Sequence, residues 1–402
     1  MAGEYTGQRI YLDHNATTPL RPEVLEAMMP YLVEHYGNAS SVHWFGRQAR
    51  QAVEMAREKV AQALGADPSE IVFTGSGTEA DNQAIKGAFF VLREKRPKLV
   101  TSKIEHHAVL HVVEYLAKYH GARASLLGVD GYGQVDPEEV RAAVDEETAL
   151  VSVMHANNEV GTIEPIAEIA AACHEKGALF HTDAVQSFGK LDCDVKKLDV
   201  DLLSLSAHKI YGPKGVGALY IKKGIRLHSL IHGGGHERNR RASTENVAGI
   251  VGLGRAAELA LAEREESSRR LEGLRDRLWQ GIQQGIPDVR RNGHPQRSLP
   301  GTLSVCFRYI EGESVILMLD MKGIACSSGS ACTSGSLEPS HVLAAMGVPT
   351  EEAQGSVRFS LGRGNTEAEI DRVIEVLKEA VAKLRSMSPL GPQGQCGGGT
   401  AS

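Results

Sequence analysis

Apolar and polar residues along residues 50–225 follow a pattern typical of an α/β fold. Stretches with apolar residues at helical spacing predict helices that include residues 46–64 and 166–176. Short apolar runs between such stretches predict strands at residues 70–73, 98–102, 150–155, 178–181 and 202–206. Polar residues follow these runs. Because ligands of an open parallel sheet bind outside the carboxyl ends of its strands, we expect the functional site among those polar residues.

A second pattern begins after residue 254, where leucines recur at helical spacing among glutamates and arginines. It predicts a long helix over residues 255–282 that leads into another unit. The predicted elements of that unit are strands at residues 302–307 and 356–360 and a terminal helix at residues 367–385.

The length of 402 residues favours two domains over one. We expect a large α/β domain with a mostly parallel sheet over residues 15–262. A smaller α+β domain is expected to combine residues 1–14 with residues 263–388. Residues 389–402 are rich in glycine and polar residues, so we expect this tail to be disordered.

Composition and charge exclude several classes of protein. The chain is 42% hydrophobic and 23% charged, as in soluble globular proteins, and holds no apolar run long enough for a membrane span. A net charge of -6 without a basic block gives no electrostatic footprint for nucleic acid or an anionic membrane. Residues 1–15 do not resemble a signal peptide. We therefore expect a cytoplasmic protein whose partners are small molecules or proteins.

Six cysteines occur without a Cys-x-x-Cys pair, which argues against a disulfide scaffold and against a structural zinc site. We expect most of them to be small buried apolar residues. Cys332 is the exception, because residues 326–341 are dense in serine and glycine and predict a mobile loop that exposes it. An exposed thiol there indicates nucleophilic or redox chemistry, and an incidental surface thiol is the alternative.

Lys209 and a turn near residue 77 indicate cofactor chemistry. Lys209 follows an apolar run and precedes several glycines, so it could be a desolvated Schiff-base amine rather than an ordinary surface lysine. Gly77 and Thr78 lie in a strand–turn–helix segment whose N–H groups could bind a phosphate. That segment lacks P-loop and dinucleotide spacings, so a compact cofactor phosphate suits it better, with a structural turn as the alternative.

Two further polar residues fit the same chemistry. Asp183 follows a predicted strand, where its carboxylate could keep a pyridine nitrogen protonated; a helix N-cap is the alternative. His106 could stack on an aromatic ring and move protons near neutral pH, although a lone histidine is more often structural.

Together these segments resemble the NifS/IscS-type cysteine desulfurases, which are class V aminotransferase-like enzymes that depend on pyridoxal 5'-phosphate. The resemblance covers nearly the whole chain and implies the aspartate aminotransferase-like fold type I. The motifs that carry it are YLDHNATTP (residues 11–19), GTE (77–79), EH (105–106), MHANNEVG (154–161), DAVQ (183–186), SAHK (206–209) and RFSLGR (358–363).

The resemblance implies a role for individual motif residues. Lys209 would hold pyridoxal phosphate covalently, Asp183 would pair with its pyridine nitrogen and His106 would stack on its ring. Gln186 and Asn158 would contact the ring oxygen and nearby groups. The phosphate end would be formed by Gly77, Thr78, Ser206, His208 and, from a neighbouring subunit, Thr244. The contribution of a neighbouring subunit implies a homodimer.

The implied reaction converts L-cysteine to L-alanine and leaves the sulfur on Cys332 as a persulfide, for delivery to an iron–sulfur scaffold or another acceptor protein. Arg358, with Asn158, would bind the substrate; a guanidinium matches the geometry of a carboxylate. Cys326 is interpreted as a packing residue, with a resolving thiol as the alternative. Ser243 stands where the family usually has glycine and adds a side chain to the loop that carries Thr244.

Three other functions remain open at the level of sequence. An aminotransferase or a selenocysteine lyase of the same fold could use Lys209 and Arg358 equally well. A sulfur carrier or scaffold that has lost catalysis is the third. The loop with Cys332 argues against an aminotransferase, and the intact Lys209, Asp183 and His106 argue against an inactive carrier.

Overall fold

The structure is a computed structural model that describes residues 7–329 and 339–389. Its strands are β1 (Ile10–Tyr11), β2 (Ile71–Thr74), β3 (Lys98–Ser102), β4 (Arg123–Leu127), β5 (Thr148–Ser152), β6 (Leu179–Asp183), β7 (Leu202–Ser206), β8 (Gly217–Ile221), β9 (Val289–Asn292), β10 (Thr302–Phe307), β11 (Ile324–Ala325) and β12 (Ser356–Ser360). Its α-helices are α1 (Pro22–Val33), α2 (Trp44–Leu64), α3 (Gly77–Leu92), α4 (His107–His120), α5 (Pro137–Ala143), α6 (Ile166–His174), α7 (Val195–Leu198), α8 (Val247–Gly285), α9 (Gly312–Asp320), α10 (His341–Ala345), α11 (Thr350–Ala353) and α12 (Glu367–Met387).

A seven-stranded sheet forms the centre of the fold, in the order β2-β8-β7-β6-β5-β3-β4. All neighbouring pairs are parallel except the two that involve β8, which runs antiparallel to β2 and to β7. The carboxyl ends of β2, β3, β5, β6 and β7 therefore lie along one edge of the sheet. The predicted α/β fold with a mostly parallel sheet is confirmed.

Helices cover both faces of this sheet. On one face, α3 and α4 enclose a core that includes Ile85, Phe89 and Leu116. On the other face, α2, α6 and the first half of α8 enclose a second core that includes Val53 and Leu253. Because both faces are buried, the central strands are almost continuously apolar rather than alternating, which is why short apolar runs predicted them.

A three-stranded antiparallel sheet, in the order β12-β10-β9, forms a separate core with α9, α12 and the second half of α8. Ile10 and Leu12 pack into this core, where β1 pairs with β11 in parallel. Helix α8 runs from one core to the other, so the expected domain boundary near residue 262 falls inside a continuous helix. The division into domains remains a prediction.

The predicted elements differ from the observed ones mainly at their ends. Strands over 98–102, 202–206, 302–307 and 356–360 have the predicted bounds. The strand predicted at 150–155 is wrong at both ends, since β5 spans Thr148–Ser152. The residues after Ser152 leave the ladder with β3 but still bond to β6, through the N–H groups of Val153 and His155.

The described cysteines, Cys173, Cys193, Cys306 and Cys326, are buried free thiols, as expected. Cys326 packs in the core of the three-stranded sheet, and burial raises its pKa to about 12, which fits the packing interpretation. Cys332, Cys396 and all of the tail beyond Pro389 lie outside the described residues. Within the described parts of the chain, no helix is both long and apolar enough to span a membrane.

Candidate active site

A cavity of about 310 Å³ opens at the edge of the large sheet where the parallel strands end. This is the edge at which the sequence predicted the site. The predicted site residues that line the cavity are Gly77, Thr78, His106, Asn158, Asp183, Gln186, Ser206, His208, Lys209 and Arg358. Residues from all parts of the chain therefore meet in one place.

Lys209 is carried by a short 3-10 turn, Ala207–Lys209, directly after β7. Its Nζ donates hydrogen bonds to the backbone carbonyls of Asn15 (2.5 Å) and Ala16 (2.9 Å). Those two carbonyls belong to the segment that follows β1 and were not predicted as part of the site. The amine is thus held at the cavity wall by neutral acceptors in addition to its other contacts.

Asp183 is the last residue of β6 and is buried. Burial raises the pKa of its carboxyl to about 6, and the Val185 N–H, which donates to Oδ1 over 2.8 Å, and the nearby Lys209 amine act in the opposite direction. Asp81 of α3 lies beside it, and burial together with the charge of Asp183 raises the pKa of Asp81 well above its ordinary value. A buried carboxyl of this kind gains from a cationic N–H partner.

His106 caps the N-terminus of α4, where its Nδ1 accepts a hydrogen bond from the Ala108 N–H over 3.1 Å. This bond places the ring proton on Nε2 and fixes the ring against the cavity. Burial, followed by the charge of Lys209, lowers the pKa of His106 to about 4, so the ring is neutral at physiological pH. A neutral, fixed imidazole is suited to stacking on a flat ring.

The turn between β2 and α3 forms one end of the cavity. Ser76 caps α3 by accepting a hydrogen bond from the Glu79 N–H (3.1 Å), so Gly77 and Thr78 occupy the first turn, where helix N–H groups lack intrahelical acceptors. A Cβ on Gly77 would lie 2.7 Å from Val185 Cγ2, which leaves no room for a side chain. The same end holds Ser206 and His208, and burial lowers the pKa of His208 to about 4. We call these residues the phosphate end.

Another part of the cavity wall is formed by Arg358 and its partners. Arg358 is 4% exposed and donates from Nη1 to the Asn158 carbonyl (3.0 Å) and from Nη2 to Asp13 Oδ1 (2.8 Å). Asn15 reinforces this side by donating from Nδ2 to the same Asn158 carbonyl (3.1 Å). Gln186 donates to the Asn15 carbonyl over 2.9 Å. We call Asp13, Asn15, Asn158 and Arg358 the carboxylate end.

Sequence reasoning missed Asp13, Asn15, Asp81 and Lys190. Asp13 and Asn15 lie in the polar run after β1, and that run was the available signal. Lys190 lies behind Gln186, to whose Oε1 its Nζ donates over 3.3 Å. Burial, followed by the charges of Lys209 and Arg358, lowers the pKa of Lys190 to about 7.

Among the described residues, one predicted site residue does not line this cavity. Thr244 is exposed and does not line it in the single chain, so its predicted role toward a neighbouring subunit remains a proposal. Ser243 has a φ of 124°, a value that favours glycine. Cys332 lies outside the described residues, although Gly329, the last described residue before it, lines the cavity.

The groups that line the cavity match the chemistry of pyridoxal phosphate. A helix N-terminus with hydroxyl groups suits a phosphate, a buried carboxyl suits a protonated ring nitrogen, and an amine on the cavity wall suits an aldehyde. Asp81 lines the same cavity, and its buried Oδ1 has no hydrogen-bond partner among the described residues.

The chain is similar in sequence to characterised proteins over almost its full length. Residues 10–373 match the family described as aminotransferase class-V. A cysteine desulfurase IscS from Methanosarcina thermophila is 56% identical over 384 residues, covering 96% of this chain and 95% of that protein. A cysteine desulfurase IscS from Clostridium botulinum is 53% identical, covering 95% of this chain and 97% of that protein.

Solved structures agree with the sequence relatives. A NifS-like protein, 42% identical, superposes with a TM-score of 0.89 and covers 94% of this chain and 100% of its own. A NifS-like protein from Rickettsia africae, 32% identical, superposes with a TM-score of 0.84 and covers 93% and 100%. The predicted fold type I is therefore confirmed. The chain belongs to the class-V aminotransferase family of pyridoxal phosphate enzymes and, within it, to the cysteine desulfurases.

Proposed function

We propose that this enzyme converts L-cysteine to L-alanine and keeps the sulfur on Cys332 as a persulfide. The observation that carries the proposal is the convergence of Lys209, Asp183 and Arg358 on one cavity, whose wall includes Gly329 at the start of the segment that holds Cys332. Relatives named cysteine desulfurase, more than half identical to this chain, support it.

Each end of the cavity would hold one part of the bound molecules. Thr78, Ser206 and His208 would bind the cofactor phosphate, as would the N–H of Gly77. Asp183 would keep a proton on the ring nitrogen, because its buried carboxylate is stabilised by an N–H cation. His106 would pack on the ring and Gln186 would approach the ring oxygen.

Pyridoxal phosphate, when bound, supplies a sink for the electrons left at the substrate α-carbon after proton loss. Arg358 and Asn158 would orient the substrate, and the Lys209 amine would carry the α-proton. The Cys332 thiolate would then attack the substrate sulfur, so that one S–S bond forms and one C–S bond breaks. The sum is L-cysteine plus enzyme thiol to L-alanine plus enzyme persulfide, which balances without another reactant.

The persulfide is tested by mass spectrometry of the protein after treatment with L-cysteine. We expect one added sulfur on the peptide with Cys332 and none in a Cys332→Ser variant, which should keep the cofactor absorbance and form no alanine. Cys326→Ser is the matched control, because Cys326 is buried with a raised pKa and should not be needed. Added sulfur on Cys326, or turnover by Cys332→Ser, would contradict the assignment.

A homodimer, with Thr244 reaching the phosphate of the other subunit, is part of the proposal. It is supported by large apolar side chains that are exposed on α1, α2 and the segment between them: Leu32, Tyr36, Trp44, Phe45 and Met55. The same part of the chain contacts the loop of Thr244, since Arg50 of α2 pairs with Glu245 over 3.1 Å. A Phe45→Asp variant should elute as a monomer in chromatography coupled to light scattering. It should also bind pyridoxal phosphate more weakly in a fluorescence titration of the apoenzyme. An unchanged dimer would argue against this interface.

We further propose that the sulfur passes to an iron–sulfur scaffold or another acceptor protein, and that the enzyme works in the cytoplasm. Relatives named IscS support the first part. The acceptor would be identified by adding purified candidate scaffolds to the persulfide form and following the sulfur by mass spectrometry.

A further inference from the structure

Arg358 and Asp13 come from opposite ends of the chain but are held in a fixed register. Ser360, on the same strand as Arg358, donates its N–H to the Leu12 carbonyl (2.8 Å) and accepts at its own carbonyl from the His14 N–H (3.1 Å). These two bonds clamp Asp13 beside β12. The Tyr11 hydroxyl donates to the Asp13 carbonyl over 3.0 Å and fixes the backbone further. The Asp13 side chain is therefore placed by backbone pairing rather than by its bond to Arg358 alone.

The guanidinium of Arg358 is only partly used by its protein partners. Nη1 donates to the Asn158 carbonyl and Nη2 donates to Asp13 Oδ1. Nε is buried and has no hydrogen-bond partner among the residues that the structure describes. Leaving a buried donor without an acceptor is unfavourable, so a ligand that accepts a hydrogen bond from Nε would be stabilised. An arginine presents five N–H groups in a rigid fork, so the Nε–H and one N–H on each Nη remain, and Nε and Nη2 share one edge of the fork.

The charges around Arg358 favour an anionic ligand. The amines of Lys190 and Lys209 lie near this side of the cavity, where burial and the charges of Lys209 and Arg358 lower the pKa of Lys190. Asp13 supplies the carboxylate that pairs with Arg358 on this side of the cavity, over 2.8 Å. Without Asp13, the buried guanidinium of Arg358 would lose its charged partner and would turn toward another acceptor, because a buried charge without a partner is strongly unfavourable.

We propose that Asp13 is a positioning residue that holds Arg358 so that its Nε and Nη2 edge receives the carboxylate of the amino-acid substrate side-on. The inference rests on the proposed function of the cavity. Asp13 does not touch the substrate; it acts through Arg358, with the Asn158 carbonyl as the second anchor. Specificity for α-amino acids over simple amines then depends on Asp13 as well as on Arg358.

The test compares two ligands that differ in one charged group, L-alanine and L-alaninamide, on the holoenzyme. Their dissociation constants are measured by titrating the change in cofactor absorbance for the wild-type protein and for Asp13→Asn. We expect L-alanine to bind about tenfold more weakly to Asp13→Asn, as for loss of one charge-assisted hydrogen bond. L-alaninamide, which lacks the carboxylate, should change by less than about twofold.

Three outcomes would contradict either the positioning role of Asp13 or the proposed function of the enzyme. Equal weakening of both ligands would overturn the proposal, because a general structural defect does not select the carboxylate. Tighter binding of L-alanine would also overturn it, because Asp13 would then be a competitor for Arg358. If wild-type enzyme formed no alanine from L-cysteine, the proposed function would fail, whereas selective weakening of L-alanine binding in Asp13→Asn could still be measured.

Two further variants separate a positioning role of Asp13 from a general folding defect. Asp371→Asn removes an aspartate that is also paired with an arginine, Arg277 (2.7 Å), but on the exposed surface of α12, and should leave both ligands unchanged. Asp13→Glu keeps the charge and moves the carboxylate, so it should weaken L-alanine binding selectively even if Asp13→Asn does not fold. Unchanged L-alanine binding by a folded Asp13→Asn or Asp13→Glu would refute the positioning role.

Discussion

The phosphate end and the carboxylate end of the cavity are built in different ways. The phosphate end consists of local segments, a strand that turns into a helix at Gly77 and a strand that ends at Ser206. The carboxylate end is assembled from residues far apart in sequence: Asp13 and Arg358 are 345 positions apart, and Asn158 and Arg358 are 200 apart. Each segment of the phosphate end can be recognised locally, although the sheet brings the two together, whereas the carboxylate end can be recognised only in the completed fold.

This difference explains what the sequence could predict. Lys209, Asp183 and Thr78 each follow an apolar run and carry recognisable chemistry, so the phosphate end and the cofactor contacts could be inferred from short motifs. The central strands could be predicted because strands buried on both faces are continuously apolar.

The unpredicted residues act through tertiary contacts. Asp13 gains its role only because Leu12 and His14 pair with β12, and Lys190 only because it lies behind Gln186. The buried carboxyl of Asp81 sits one helical turn beyond Thr78, where its sequence neighbourhood resembles any polar helix position. No spacing rule in a single sequence reports such pairings.

The largest effect is expected from a substitution that disrupts the carboxylate end alone. Arg358→Lys keeps a positive charge but removes the planar fork and the bonds to Asp13 and Asn158. Loss of a paired, charged hydrogen bond of about 2–3 kcal/mol should raise KM for L-cysteine roughly 30- to 150-fold. Steady-state kinetics measures KM, and the dissociation constant of pyridoxal phosphate, from fluorescence titration of the apoenzyme, should change little. A similar loss of cofactor affinity would show that the two ends are not independent.

A smaller effect is expected from a substitution that disrupts the phosphate end. Thr78→Val removes one hydroxyl at the start of α3 and preserves the shape of the side chain. Pyridoxal phosphate should bind about tenfold more weakly, as expected for one hydrogen bond to a charged group, while KM for L-cysteine at saturating cofactor stays within about twofold. Asn82 lies one turn further along α3 and donates to the Thr78 carbonyl, so Asn82→Ala is a control for helix stability. If it weakens cofactor binding as much as Thr78→Val does, the hydroxyl is not the cause.

The third prediction uses two histidines that burial keeps neutral, His208 at the phosphate end and His106 elsewhere in the cavity. The pKa of each lies near 4, below the ordinary value of 6.5, so each stabilises the fold above pH 6.5 and loses that contribution as the pH falls toward 4. Inorganic phosphate bound to the apoenzyme should raise the pKa of His208 by about one unit, because an anion favours the protonated ring. His106 should shift less. NMR titration of the ring protons measures both, and equal shifts would mean that phosphate does not select the predicted end.

The smallest effect concerns Ser243, next to the residue proposed to reach the phosphate of another subunit. A φ of 124° strains a residue with a Cβ by about 1–3 kcal/mol, whereas glycine adopts it freely but loses about 0.5–1 kcal/mol more conformational entropy on folding. Ser243→Gly should therefore stabilise the protein by about 1 kcal/mol in chemical denaturation.

A matched control is Asn239→Gly, since Asn239 has a φ of 63°, which asparagine tolerates, and little should be gained there. Because Ser243 does not line the cavity, Ser243→Gly should leave KM for L-cysteine unchanged. If it instead weakens cofactor binding, the strained serine is holding Thr244 in its productive position. The phosphate end would then depend, like the carboxylate end, on contacts that no local motif encodes.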